Sequence, residues 1–66
     1  MYNHLIARYE MGGYEIVVRR SDINGMYQLS TMASSMGEEY RVAKSYDTFN
    51  EEETLADFVK YVESTK

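Results

Sequence analysis

The chain has 66 residues, no cysteine, no proline and one histidine, with eleven Asp and Glu against seven Lys and Arg for a formal net charge of −4. That length gives one domain, residues 1–66, able to bury roughly 60% of its unfolded surface; a disulfide framework is excluded, and His4 alone cannot build a zinc site, which usually takes four Cys or His ligands. The acidic balance opposes direct binding to nucleic-acid phosphates, no apolar run approaches the roughly 20 residues that span a bilayer, and the N-terminus lacks a signal-peptide layout, so the chain reads as soluble and intracellular.

In chain order, "NHLIARYEMGG" opens with Asn3 as an N-cap, places Leu5, Ile6 and Tyr9 near one helical stripe, and ends at Gly12 and Gly13, which suit a left-handed C-cap. A short N-terminal helix is expected, with His4 on its solvent side. "YEIVVRRS" then alternates, Tyr14, Ile16 and Val18 against Glu15, Val17 and Arg19, and Asn24-Gly25 signals a two-residue type I′ hairpin turn. That turn would pair Ile23 with Met26, Val18 with Thr31 and Ile16 with Ala33, placing Ile16, Val18, Leu29 and Ala33 on a core face with Tyr27 at its edge. "SSMGEE" reads as the next turn, and "YRVAKSYD" as the third strand. Four of the five methionines, Met11, Met26, Met32 and Met36, read as gap-fillers at turns and strand edges.

From Thr48 the period changes. Leu55, Phe58, Val59 and Val62 recur at helical spacing, Asn50 and Glu53 suit a capping-box-like start, and Glu51, Glu52 and Glu53 complement the positive end of a helix. The expected fold class is α+β: a three-stranded antiparallel meander with a short N-terminal helix and a C-terminal helix packed on it, in the order α-β-β-β-α.

Little in the sequence points to catalysis. An activated nucleophile needs a base and a group that orients it, and nothing links His4 to a hydroxyl. Glu38 and Glu39 could do acid–base work only in a pocket that separates their pKa values; Glu51 to Glu53 do not follow the alternate spacing of a calcium loop; Gly12-Gly13 lacks the Gly-Lys-Ser/Thr of a phosphate loop. No catalytic residue, cofactor or metal is expected. Charge is more informative: residues 1–37 carry three acids and three bases, and residues 38–66 carry eight acids and four bases, so the excess lies in the second half. Seven tyrosines add strand packing and, where exposed, interface anchors.

Over residues 3–45 the chain resembles the small acidic anti-CRISPR proteins of phages and prophages that inhibit the type II CRISPR nuclease, through "NHLI", Tyr14 at the start of its strand, "QL" at Gln28 and Leu29, and "GEEY" at Gly37 to Tyr40. The family's aspartates before the first strand and before the loop glycine are replaced by Gly13 and Met36, and its acidic third helix has no counterpart here. The resemblance implies a DNA mimic acting in the bacterial host cytoplasm: a protein inhibitor that occupies the PAM-reading site of the guide-RNA-loaded nuclease, without touching nucleic acid or membrane. The implied partner-binding residues are Gly37, Glu38, Glu39 and Tyr40, flanked by the acidic helix start Glu51, Glu52 and Glu53. The alternative is a small phage or host interaction module, with homodimerisation as an option, that binds through its sheet edge or a tyrosine-rich face without mimicry.

Overall fold

A computed structural model describes residues 3–66. The chain forms a four-stranded antiparallel sheet followed by one helix: β1 (Asn3–Met11), β2 (Tyr14–Ser21), β3 (Tyr27–Ser35), β4 (Glu38–Tyr46) and α1 (Glu51–Ser64). The strands lie side by side in chain order, a simple meander. The expected N-terminal helix is therefore a strand. Gly12 and Gly13 both take positive φ, +61° and +87°, and Met11 pairs with Tyr14, so the glycines form a type I′ hairpin turn rather than a helix cap. An isolated nine-residue helix is marginal in water. As a strand the same segment satisfies the outer edge of β2 and turns Ala7 and Tyr9 toward the core. One irregularity accompanies this: Leu5 pairs with Arg19 and Ala7 with Val18, leaving Ile6 as a bulge.

The β2–β3 connection also differs from the expected turn. Gly25 has φ +69°, and Asn24 is not among the positive-φ residues. The loop is longer, closed by Ser21 N–H to Met26 O at 2.9 Å and Gly25 N–H to Ser21 O at 2.9 Å. Side chains explain the choice: Ser21 Oγ accepts from Ile23 N–H at 3.2 Å, and Asn24 Oδ1 accepts from Met26 N–H at 3.0 Å, local bonds that stabilise the wider loop. The register consequently places Val18 opposite Leu29 instead of Thr31. A displacement of two residues preserves the side of the sheet on which each side chain stands, so the expected core face survives: Ile16, Val18, Leu29 and Ala33 are all buried.

The helix covers that face. Leu55, Phe58 and Val62 are buried against Tyr14, Val42 and the β2–β3 residues, with Val59 partly buried beside them. Asn50 caps the helix, its side chain accepting from the Glu52 and Glu53 amides at 3.0 Å each, as expected. The reciprocal bond comes from Thr54, whose Oγ1 accepts from Asn50 N–H at 2.9 Å, rather than from Glu53. Gly12 sits directly beneath the helix: a Cβ there would lie 3.0 Å from Val59 Cγ1, whereas one on Gly13 would meet nothing within 4 Å. Both Gly→Ala substitutions cost about 1 kcal/mol for the left-handed backbone, and Gly12→Ala adds a clash with Val59. Urea denaturation is expected to show Gly12→Ala as the less stable of the two.

Candidate functional site

The meander brings two hairpin turns to one end of the molecule, Gly12-Gly13 and Met36-Gly37. In the second, Met36 has φ +55° and Gly37 φ +82°, and Ser35 pairs with Glu38, again a two-residue type I′ turn. Met36 is the one non-glycine residue with positive φ among the described residues, a conformation that favours Gly, Asn or Asp. Its side chain is 100% exposed. A flexible apolar side chain is thus held, fully exposed, at the apex of a tight turn, at a backbone cost of about 1 kcal/mol.

Glu38 and Glu39 are the first residues of β4 rather than part of a loop, paired with Ser35 and Ser34. Strand alternation sends them to opposite faces of the sheet. Both are exposed, and neither belongs to an ion pair among the described residues. Tyr40 is half-buried, and its hydroxyl meets Thr65 Oγ1 at 3.0 Å, tying β4 to the residue that caps α1.

The acidic helix start lies elsewhere. α1 follows the far end of β4 and returns, so Thr65 sits by Tyr40 while Glu51, Glu52 and Glu53 stand a helix length away, about 21 Å for 14 residues. They do not flank Glu38 and Glu39. All three are exposed at the N-terminus of α1, where carboxylates are favoured by the helix dipole.

The tyrosines likewise have a structural use. Tyr9 donates to Glu51 at 3.4 Å, Tyr14 to Glu63 at 2.5 Å and Tyr46 to Asp57 at 2.7 Å. With Tyr40 on Thr65, hydroxyls from three strands grip the helix along its length. Phe49 packs between Tyr9 and Tyr27, with ring centroids 6.0 Å and 5.9 Å apart. A tyrosine-rich face therefore exists, with its rings buried or half-buried beside α1 and four of its hydroxyls bonded to α1 or its cap. His4 lies on β1, with Nε2 2.6 Å from Asp22 Oδ2, so it belongs to a strand and not to a helix surface. Three of the methionines also depart from a gap-filling role, Met11, Met32 and Met36 being exposed; their chemistry was visible in the sequence, whereas their exposure depended on the register.

Among the described residues no group of three or more His, Cys, Asp or Glu side chains is arranged to hold a metal ion, and no helix is long and apolar enough to cross a membrane. No family model matches the chain, and no curated protein or solved structure matches it either.

The carboxylates on the helix are tuned by these contacts. The Tyr46 hydroxyl, followed by Lys44 at 3.3 Å, holds Asp57 below the usual carboxylate range, and the Tyr14 hydroxyl does the same for Glu63, aided by Lys66. Burial, then the bond to Asp57, raises the Tyr46 phenol. A carboxylate whose folded pKa is depressed stabilises the fold above its unfolded pKa, and that contribution is lost as the pH falls through the folded value. Stability is expected to decline below about pH 4, and Asp57→Ala should flatten this acid limb in a series of urea titrations at stepwise pH.

Proposed function

We propose that the chain is a protein inhibitor that inserts the tip of the β3–β4 hairpin into a cationic, nucleic-acid-reading groove of a bacterial protein, with the PAM-reading site of the guide-RNA-loaded type II CRISPR nuclease as the specific candidate. One observation carries the reading: a fully exposed methionine in a left-handed turn, followed by two exposed carboxylates that face opposite sides and form no ion pair among the described residues. Backbone strain persists where surrounding structure imposes it and is concentrated at functional positions.

The geometry suits a groove better than a flat surface. A hairpin entering a cleft presents Glu38 to one wall and Glu39 to the other, with Met36 leading. Arginines that would bind guanine edges and lysines that would bind phosphates are satisfied equally by carboxylates, through charge-assisted hydrogen bonds. Occupation of the groove blocks the first contact with duplex DNA. Glu51, Glu52 and Glu53 lie outside this contact and add only long-range attraction.

Binding to the guide-loaded nuclease, measured by calorimetry across a salt series, tests the reading. Glu38→Lys with Glu39→Lys is expected to abolish binding while leaving the far-UV circular dichroism unchanged. Met36→Asn should stabilise the free protein by about 0.5–1 kcal/mol by relieving the turn yet weaken binding at least tenfold. Charge reversal of Glu51, Glu52 and Glu53 should change affinity by no more than about threefold at 0.15 M salt, where screening is strong beyond about 8 Å. Full affinity in the Glu38/Glu39 double reversal would overturn the proposal.

A further inference from the structure

The second face of the sheet has no helix over it. Alternation and register place Leu5, Arg8 and Glu10 of β1, Glu15, Val17 and Arg19 of β2, Ser30 and Met32 of β3, and Glu39, Arg41 and Ala43 of β4 on this side. Three of the chain's four arginines stand here, and none forms an ion pair among the described residues. Three glutamates balance them, so this face is electrically neutral. The net charge of −4 lies wholly on the rest of the molecule.

The arrangement within this neutral face is the informative part. Glu10 stands directly opposite Glu15, a like-charge cross-strand pair that is unfavourable on its own. Met32 stands opposite Arg41; the β2–β3 pairing ends at Val17–Ser30, and beyond it Thr31 Oγ1 donates to Glu15 O at 2.7 Å while Glu15, Met32 and Arg41 line one depression. At this level of the sheet Glu10 and Glu15 stand on β1 and β2, and Met32 and Arg41 on β3 and β4, so the row reads as two separate pairs. The two acids occupy one side of the row and the arginine the other. Three strand spacings of about 4.8 Å separate Glu10 from Arg41, too far for them to meet in one chain.

A second copy resolves this. We propose that the open face is a self-recognition surface, on which two copies stack sheet against sheet about a two-fold axis parallel to the strands and between β2 and β3, so that Glu10 of each copy meets Arg41 of the other. The same rotation sets Val17 over Ser30, Arg8 over Ala43 and Glu15 over Met32, and superimposes no like charges. A two-fold perpendicular to the strands through the Arg8–Val17–Ser30–Ala43 row would instead place Arg8 on Arg8. Strand directions stay aligned, as in packed β-sheets, and the contact is isologous, each ion pair occurring twice.

Centre and size fit the same conclusion. The middle of the face is a shallow depression of about 320 Å³, lined by Val17, Arg19, Ser30, Met32 and Arg41 among others. Met32 is 55% exposed and Leu5 50% exposed, apolar surface that a partner sheet would cover. Four strands of eight or nine residues present roughly 500 Å² in projection, so two copies bury about 1,000 Å², the lower bound for a specific interface. The helices and their acidic surfaces end on the outer sides, which limits repulsion between copies. The hairpin tips of both copies project at one end, but Glu39 stands on the stacked side, so groove insertion of both carboxylates is assigned to the monomer, and the Glu10 and Arg41 variants test the dimer separately.

Sedimentation velocity from 10 to 500 µM in 50 mM and 300 mM salt, with circular dichroism to confirm folding, provides the test. The parent should dimerise, more weakly in high salt. Arg41→Glu and Glu10→Arg should each raise the dimer Kd at least about tenfold, because each breaks two ion pairs, and the combined Glu10→Arg, Arg41→Glu exchange should restore it. A parent that stays monomeric at 500 µM in low salt would overturn the proposal, as would a folded Arg41→Glu variant that dimerises like the parent or a double exchange no better than the single variants.

Discussion

One helix covers one face of a four-stranded sheet, and almost everything else in the molecule follows from that asymmetry. The apolar stripe Leu55, Phe58 and Val62 fills the space over Ile16, Val18 and Leu29, all six essentially inaccessible to water. Burial of such side chains is worth about 1.5–3 kcal/mol each, the dominant favourable contribution in a domain with no disulfide. Around this apolar centre the tyrosine hydroxyls of β1, β2 and β4 anchor Glu51, Glu63, Asp57 and Thr65. These polar contacts fix the direction of the helix across the sheet, and with it the separation between the two acidic segments.

The asymmetry divides surface chemistry as well. The covered side and the connecting segments carry eight acids and four bases, with Lys44 placed over the Tyr46 and Tyr61 rings at 5.2 Å and 5.0 Å. The open side carries equal numbers of both signs, with Glu10 and Glu15 on β1 and β2 and Glu39 and Arg41 on β4. The two proposed contacts divide in parallel: a strained hairpin tip followed by two exposed carboxylates at one end, and a neutral sheet face assigned to a second copy. Neither depends on a cavity deep enough to enclose a small substrate.

Much of the core was legible in the sequence because a period of two survives errors of two. The expected β2–β3 turn was too short, yet Ile16, Val18, Leu29 and Ala33 kept their side, and Asn50 capped the helix that the Leu55–Val62 spacing demanded. The N-terminal segment was harder to read. "NHLIARYEM" fits both a helical stripe and a bulged alternation, and Gly12-Gly13 serves a helix end and a hairpin equally well; the choice rests on hydrogen bonds to β2, a contact absent from local propensity. Glu38 and Glu39 read from the sequence as part of the turn and are the first residues of β4 beside it, and their expected flanking by Glu51 to Glu53 fails, since neighbouring positions in a list of charges say nothing about a helix that folds back over the sheet. The hydroxyl clamp on α1 likewise needed the register before Tyr9, Tyr14, Tyr40 and Tyr46 could be assigned one shared task.

The account rests on two faces with different occupants: α1 on one, another copy on the other. Following backbone amide shifts by NMR while a labelled sample is diluted from 500 to 10 µM examines this residue by residue. Shifts confined to Arg8, Glu10, Glu15, Val17 and Arg41, with the α1 amides unmoved, are the predicted result. Shifts concentrated in α1 or in the loop Asp22–Gly25, or none anywhere, would contradict it.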